Sequence, residues 1–141
     1  MSDANIIDRS AEKAHVWLNE LAAELGDAED RQAAYRVLRA YLHAVRDRLT
    51  VNEAAQLAAQ LPELIRGIYY EDWVPARTPL KYRTVDEFLD RVADEAQLSG
   101  ETDASYACAA AARVLRRHVS AGEVEDVVAV FPEEMRPVLA G

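Results

Sequence analysis

The chain of 141 residues carries 16 Lys and Arg against 25 Asp and Glu, a formal net charge of −9. With 50% hydrophobic and 29% charged residues, the composition is typical of a globular protein and excludes a disordered one. The net negative charge argues against nucleic acid as a partner. The single cysteine excludes an internal disulfide, and no apolar run approaches the ~18 residues of a membrane helix.

The first predicted helix begins at Ser10, whose hydroxyl is suited to cap a helix N-terminus. Apolar residues recur from there at helical spacing as far as Leu25. Residues 1–9 are predicted as an N-terminal tail without the basic and apolar segments of a secretory signal, so we expect a cytoplasmic protein. Asp27 is the predicted N-cap of a second helix over residues 28–49.

Two further signals define the next helices. Thr50 and Glu53 form a capping box, in which each side chain satisfies a backbone N–H at the start of a helix, so a third helix is predicted there. Pro62 has no N–H and is tolerated in the first turn of a helix, so it is predicted to be the first residue of a short fourth helix over residues 62–70. Residues 71–83, which contain two prolines, are predicted as a non-helical connector.

This pattern recurs after the connector. Pro132 lies 70 residues after Pro62, and Ser120 repeats at the same offset the capping role of Thr50, while Thr84 opens the second copy with a capping box of its own. We interpret the recurrence as a duplication and predict an all-α protein of two tandem pseudo-symmetric repeats with about four helices each, the fourth short. The predicted organisation is a tail, a first repeat, the connector and a second repeat, with both repeats in one compact domain, over residues 1–9, 10–70, 71–83 and 84–141.

Several segments together resemble a known family. They are residues 46–49, 53–63, 69–73, 87–92 and 131–134. In combination they resemble the bacterial family called domain of unknown function 2267, over nearly the whole chain. The resemblance implies a small helical, cytoplasmic protein, and it implies no catalytic role because the family carries no accepted activity.

Metal-binding patterns are incomplete in this sequence. Glu12 and His15 have the Glu-x-x-His spacing of di-iron helical bundles, but the second such motif that those sites need is missing. Asp86, Asp90 and Asp94 recur every four residues, and we interpret them as the solvated face of an amphipathic helix. We therefore expect no metal and no cofactor.

Catalytic motifs are also missing. Cys108 has only uncharged close neighbours and aligns with Leu38 of the first copy, so we interpret it as a buried, inert thiol. The sequence contains no Gly-rich phosphate loop and no nucleophile elbow. We expect no enzyme activity and no catalytic residue.

Basic residues cluster on equivalent helices of the two copies, and they form the first part of a predicted interaction surface. They are Arg36, Arg39, His43 and Arg46 on the second helix, with Arg113 and Arg116 in the second copy. A basic face in an acidic protein suits an acidic partner or a phosphate-bearing ligand. The alternative is that these cations pair with the protein's own surplus of carboxylates.

The connector contributes the second part of the predicted surface. Together with the end of the fourth helix it combines aromatic and basic side chains, namely Tyr69, Tyr70 and Trp73 with Arg77, Lys81 and Arg83. Aromatic residues and arginines are enriched at interface hot spots, which favours a protein partner. The alternative is that the aromatic residues fold back and seal the junction between the two repeats.

The predicted function is therefore a non-enzymatic protein-interaction or accessory module that binds an unknown protein partner or associates with itself. The alternative is a ligand-binding sensor or an enzyme, with a pocket between the repeats that brings His43, Arg46 and Arg116 together. Nucleic-acid binding is the third hypothesis, disfavoured by the net negative charge, and no membrane association is expected.

Overall fold

The computed structural model describes the backbone of residues 3–141 and the side chains of residues 5–100 and 103–141. Within residues 3–141 the fold is all-α, as predicted, and contains no β-strand. The helices are α1 (Asp3–Glu24), α2 (Arg31–Asp47), α3 (Val51–Ala59), α4 (Glu63–Tyr70), a 3-10 turn (Pro75–Arg77), α5 (Val85–Ala96), α6 (Glu101–His118), α7 (Ala121–Val130) and a C-terminal 3-10 helix (Glu133–Leu139). Among the described residues, no helix has the length and apolar character that crossing a membrane requires.

Helix α1 starts earlier than the sequence predicts. It is already helical at Asp3, so Ser10 lies inside the helix and does not cap it. No Gly or Pro interrupts residues 3–9, and therefore nothing breaks the helix before Ser10. Of the predicted tail, residues 1 and 2 lie outside the described residues. The helix ends at Glu24 and is followed by Gly26, whose φ of +91° lies in the left-handed region that glycine adopts without strain.

Helix α2 is shorter than predicted because a different aspartate caps it. Asp30, and not Asp27, is the N-cap, and its Oδ1 accepts a hydrogen bond from the Ala33 N–H at 3.0 Å. The Asp27 carboxylate instead accepts from the Glu29 N–H at 3.1 Å, which stabilises the turn before the helix.

Of the residues predicted to cap helices, Thr50, Thr84 and Ser120 are confirmed, but the reciprocal bond of the capping box is not seen at Ser120, whose N–H donates to Oε1 of Gln60 and not to Glu123. Thr50, Thr84 and Ser120 each accept a hydrogen bond from the backbone N–H three residues later, at 3.2, 3.1 and 3.2 Å. Pro62 and Pro132 both occupy the N-cap and not the first helical position.

The last helix differs in type from the prediction. The segment after Pro132 forms a 3-10 helix over Glu133–Leu139, and Pro137 lies inside it. A proline is tolerated there because this tighter, short helix requires few internal N–H donors.

The core is one contiguous cluster to which both halves contribute. Helices α1 and α2 pack together, with α4 against both, while α5 and α6 pack together, with the C-terminal 3-10 helix against both. The halves are joined where α2 contacts α5 and α6, where α1 contacts α6, and where α3 contacts α7. At the centre, the ring of Phe88 lies edge-on to those of Tyr41 and Phe131, at 5.9 and 6.3 Å between centroids.

Candidate functional site

The basic residues of α2 face the protein's own groups. His43 and Arg46 are only 5% and 3% exposed, because α2 is covered by α4 on one side and by α5 on another. Arg39 forms ion pairs with Glu71, Asp72 and Glu95, the last at 2.7 Å. Of the four residues predicted on this face, only Arg36 is exposed. The structure therefore favours internal pairing for Arg39, His43 and Arg46 over an open surface.

His43 links α2 to both halves of the molecule. Its Nε2 lies 2.7 Å from the carbonyl oxygen of Ile68 in α4, and its Nδ1 lies 2.8 Å from Oε2 of Glu95 in α5. A carbonyl oxygen only accepts, so the Nε2 nitrogen carries the hydrogen of the first bond. The imidazole thus connects α4, which precedes the connector in the chain, with α5, which follows it.

Glu95 is held in its charged form by this arrangement. Burial opposes ionisation of its carboxyl, but the hydrogen bond from His43 and the positive charges of His43, Arg39 and Arg46 outweigh burial and lower the pKa of Glu95. A carboxyl whose folded-state pKa is lowered stabilises the protein above its ordinary pKa of 4.5, and this contribution is lost as the pH falls through the folded-state value.

We therefore expect Glu95→Gln to lower the free energy of unfolding near neutral pH and to have little effect once the pH is well below 4.5. The measurement is urea unfolding, followed by far-UV circular dichroism, across this range. Glu125→Gln is the matched control, since Glu125 is exposed on α7 and forms no ion pair among the described residues. A difference between Glu95→Gln and the unchanged protein that stays constant with pH would contradict this account.

Arg46 holds the start of the connector in place. Its Nη1 donates to the carbonyl oxygens of Tyr69 and Glu71 at 2.8 and 2.7 Å, and its Nε donates to Oδ1 of Asp47 at 2.8 Å. These bonds satisfy the last carbonyls of α4, which have no partner within the helix. Three of the five N–H donors of Arg46 are therefore bonded to the protein's own groups.

The equivalent residues of α6 are also engaged. Arg113 donates to Oε2 of Glu24 at 2.7 Å, and Arg116 donates to the carbonyl oxygen of Leu139 at 2.6 Å. Arg117 joins the same cluster through Glu24 at 3.0 Å. Hydrogen bonds from Arg113 and Arg117 lower the pKa of Glu24. Arg113 and Arg116 thus attach α6 to α1 and to the C-terminal 3-10 helix.

The connector aromatics lie against the body of the protein. Tyr69 is completely buried, its hydroxyl donates to the carbonyl oxygen of Ala54 at 2.8 Å, and burial raises its pKa. Tyr70 and Trp73 are half-buried, pack against the core and stack on each other with ring centroids 5.2 Å apart. Tyr69 is therefore inaccessible to a partner, and the stacked pair presents only one part of its surface.

The remaining connector residues form an open groove of about 470 Å³. It is lined by Arg48, Ala76, Arg77, Thr78, Pro79, Leu80, Lys81 and Arg83. Four of these residues are cations and none is an acid, in a chain whose net charge is −9. Of the predicted surface residues, Arg77, Lys81 and Arg83 are exposed here. We call this feature the basic groove.

Within the basic groove the exposed cations are largely unpaired. Arg83 forms an ion pair with Glu134 at 3.0 Å, and both side chains are more than half exposed. Arg77 and Lys81 form no ion pair with any residue that the structure describes. Exposed pairs such as that of Arg83 contribute only ~0–1 kcal/mol, so all three side chains are available to an anionic ligand.

Arg48, at the base of the groove, was not among the predicted site residues. It is only 8% exposed, Nη1 donates to the carbonyl oxygen of Leu80, and its buried Nε has no hydrogen-bond partner. Its guanidinium carbon lies 5.8 Å from the ring centroid of Tyr82. Burial lowers the pKa of Arg48. The only sequence signal was a cation placed next to buried Leu49, which does not reveal the tertiary surroundings.

The other candidate chemistry has no support in the described part of the chain. Across residues 5–100 and 103–141 no group of His, Cys, Asp and Glu side chains is arranged to hold a metal ion. Cys108 is buried, as predicted, and burial raises its pKa to about 12, so the thiolate is scarce at neutral pH. The aspartates of α5 are exposed, as predicted.

A cavity between the halves brings together a different set of residues from the one predicted. It has a volume of about 180 Å³ and is lined mainly by His43, Asp47, Arg91 and Glu95. Arg46 and Arg116 do not line it, because both bond to backbone carbonyls elsewhere. The three residues that the pocket hypothesis requires are therefore not brought together.

Comparison with known proteins identifies the family. The model of the family described as an uncharacterized conserved protein, DUF2267, matches residues 14–138. Since the match spans most of the chain, the chain belongs to this family, which confirms the resemblance found in the sequence. A search of curated proteins finds no match.

Proposed function

We propose that this member of the DUF2267 family is a non-enzymatic protein-interaction module that binds an acidic segment of a partner protein in the basic groove. The observation that carries the proposal is the charge of the groove, where Arg48, Arg77, Lys81 and Arg83 meet without a carboxylate among the lining residues. Elsewhere in the described chain the arginines of α2 and α6 that were predicted to bind a partner are mostly bonded to the protein's own groups.

The charge distribution selects the class of partner. A net charge of −9 repels acidic molecules at long range, but at physiological ionic strength this field is screened beyond about 8 Å. Inside the groove the local positive charge dominates, so a short acidic segment is attracted once it is close. A nucleic acid would extend past the groove onto acidic surface, which disfavours it as the partner.

The scaffold around the groove supports the predicted duplication, which we include in the proposal. Arg46 and Arg116, 70 residues apart, bond to the carbonyl oxygens of Tyr69 and Leu139, which are also 70 residues apart. The same offset relates two further bonds, from Arg66 to the Leu61 carbonyl and from Arg136 to the Phe131 carbonyl, at 2.8 and 3.3 Å. In this view the helical unit occurs twice, and the connector between the copies supplies the groove.

Charge reversal in the groove tests the proposal. We expect Arg77→Glu with Lys81→Glu to weaken partner binding by about tenfold or more while the far-UV circular dichroism stays unchanged, because both side chains are exposed. The matched control is Lys13→Glu with Arg31→Glu, which changes the net charge equally at exposed positions outside the groove.

The readout is affinity capture from the native cell with quantitative mass spectrometry, at low and at moderate salt. A protein retained by the unchanged chain and by the control, and lost with the groove variant, supports the proposal. If every captured protein binds the groove variant as well as the control, the proposal is wrong. Light scattering of the pure chain shows whether the captured partner is a second copy, whose α5 carries the exposed acidic residues Asp86, Asp90 and Asp94.

A further inference from the structure

The side chain of Arg48 carries a buried charge without a counterion. Only 8% of the residue is exposed, and no carboxylate of the described chain forms an ion pair with it. Arginines are rarely buried to this extent unless they are paired, since removing a charge from water is costly. The single hydrogen bond to the Leu80 carbonyl leaves the Nε hydrogen without an acceptor.

The neighbours of Arg48 increase this deficit of negative charge. Arg83 lies close enough to disfavour the charged form of Arg48, and Arg77 and Lys81 line the same groove. The ring of Tyr82 lies beneath the guanidinium and offers only a weak cation–π contact. An anion entering the groove would therefore supply the countercharge that Arg48 lacks.

The base of the groove is held in one geometry. The Leu80 N–H donates to the carbonyl oxygen of Asp47 at 2.7 Å, and the Leu80 carbonyl accepts from Arg48. Both backbone groups of Leu80 are thus fixed to the end of α2. A guanidinium positioned before the ligand arrives loses less conformational entropy on binding, which increases affinity.

From these contacts we infer that the basic groove binds the phosphate group of a phosphate monoester, with Arg48 as the anchoring residue and Arg77, Lys81 and Arg83 as flanking cations. A planar guanidinium can bind two phosphate oxygens at once. A phosphate monoester carries close to two negative charges at neutral pH, so it balances more cations than a single carboxylate does. The inference rests on the proposed function in that the phosphate would be carried by the partner's acidic segment.

The test uses the unchanged full chain and inorganic phosphate, followed in two-dimensional ¹H–¹⁵N spectra with chloride at equal ionic strength as the reference. The sheltered Nε–H of Arg48 is a direct reporter, together with the backbone amides of residues 76–78 and 80–83. We expect phosphate to shift these signals in a saturable manner that chloride does not reproduce. Equal responses to both anions would show screening only and would overturn the inference.

Arg48→Lys keeps the positive charge but removes the planar guanidinium, whose N–H groups can bind two oxygens at once. We expect this variant to bind phosphate about tenfold more weakly, because about one charge-assisted hydrogen bond is lost. If that variant does not fold, Arg77→Gln with Lys81→Gln, at exposed positions, is expected to weaken binding to a similar extent. Unchanged affinity in the folded variants would also overturn the inference.

A short peptide containing phosphoserine, compared with the same peptide containing serine, identifies the source of the phosphate. Binding of the phosphoserine peptide without binding of the serine peptide supports the phosphate site, and equal binding of the two peptides would overturn it. Where the phosphate site is supported, tighter binding of the peptide than of inorganic phosphate indicates a protein partner, and equal binding indicates a small phosphorylated molecule. The inference and the proposed function fail separately. If a partner is captured through the groove but phosphate does not bind, the proposed function stands and the phosphate site is wrong. If phosphate binds but no partner is captured through the groove, the phosphate site stands and the proposed function is wrong.

Discussion

Replacing Arg46 with Met is expected to lower the free energy of unfolding by about 3 kcal/mol. Arg46 is 3% exposed and is the donor to the Tyr69 and Glu71 carbonyls and to the Asp47 carboxylate. Methionine fills a similar volume but leaves these acceptors without a donor, and unsatisfied buried acceptors account for most of the loss. Urea unfolding followed by circular dichroism measures the change.

Arg116→Met is the control that the chain itself provides. Arg116 is exposed and donates only to the Leu139 carbonyl, so its replacement is expected to cost about 1 kcal/mol. The two arginines lie 70 residues apart and would hold equivalent positions in a duplicated fold. An equal decrease in the free energy of unfolding for the two variants would show that the extra contacts of Arg46 with the connector contribute nothing to stability.

Replacing Phe88 with Ala is expected to have a larger effect, about 3–5 kcal/mol, because it removes a fully buried ring and leaves a cavity. The ring lies between Tyr41 of α2 and Phe131 of the second half, so its loss weakens the contact between the halves. We expect a single unfolding transition, shifted as a whole, since both halves share one core.

Asp90→Ala, on the exposed face of the same helix, is the control and is expected to change stability by less than about 0.5 kcal/mol. Thermal unfolding monitored at helix and aromatic wavelengths distinguishes the outcomes. Two separate transitions in Phe88→Ala, one close to that of the unchanged protein, would mean that the halves fold independently.

Local signals in the sequence predict much of the fold. Thr50, Thr84 and Ser120 cap helices as predicted because a capping box depends only on residues within one turn. The prediction at Ser10 is wrong for the same kind of reason, since a serine alone does not stop a helix when the residues before it are also helix-compatible. Asp27 and Asp30 compete for one cap, and the sequence contains nothing that decides between them.

The site is less predictable because its contacts are distant in the chain. The helical spacing predicts Arg39, His43 and Arg46 on a different side of α2 from Leu38 and Leu42, but it cannot show that α5 packs against α2 and that His43 and Arg46 are buried. The partner Glu95 lies 56 residues after Arg39, and no local pattern connects them. Arg77, Lys81 and Arg83 were predicted from the combination of aromatic and basic residues in the connector, and they are exposed because this connecting segment lies on the surface.

Hydrogen exchange of the chain, alone and bound to the partner obtained by groove-dependent capture, tests most directly whether the basic groove is the working surface. We expect slower amide exchange on binding in residues 76–78 and 80–83 and at the end of α2, next to Arg48. Protection confined to the surface of α1 and α6, with residues 76–83 unchanged, would contradict this expectation.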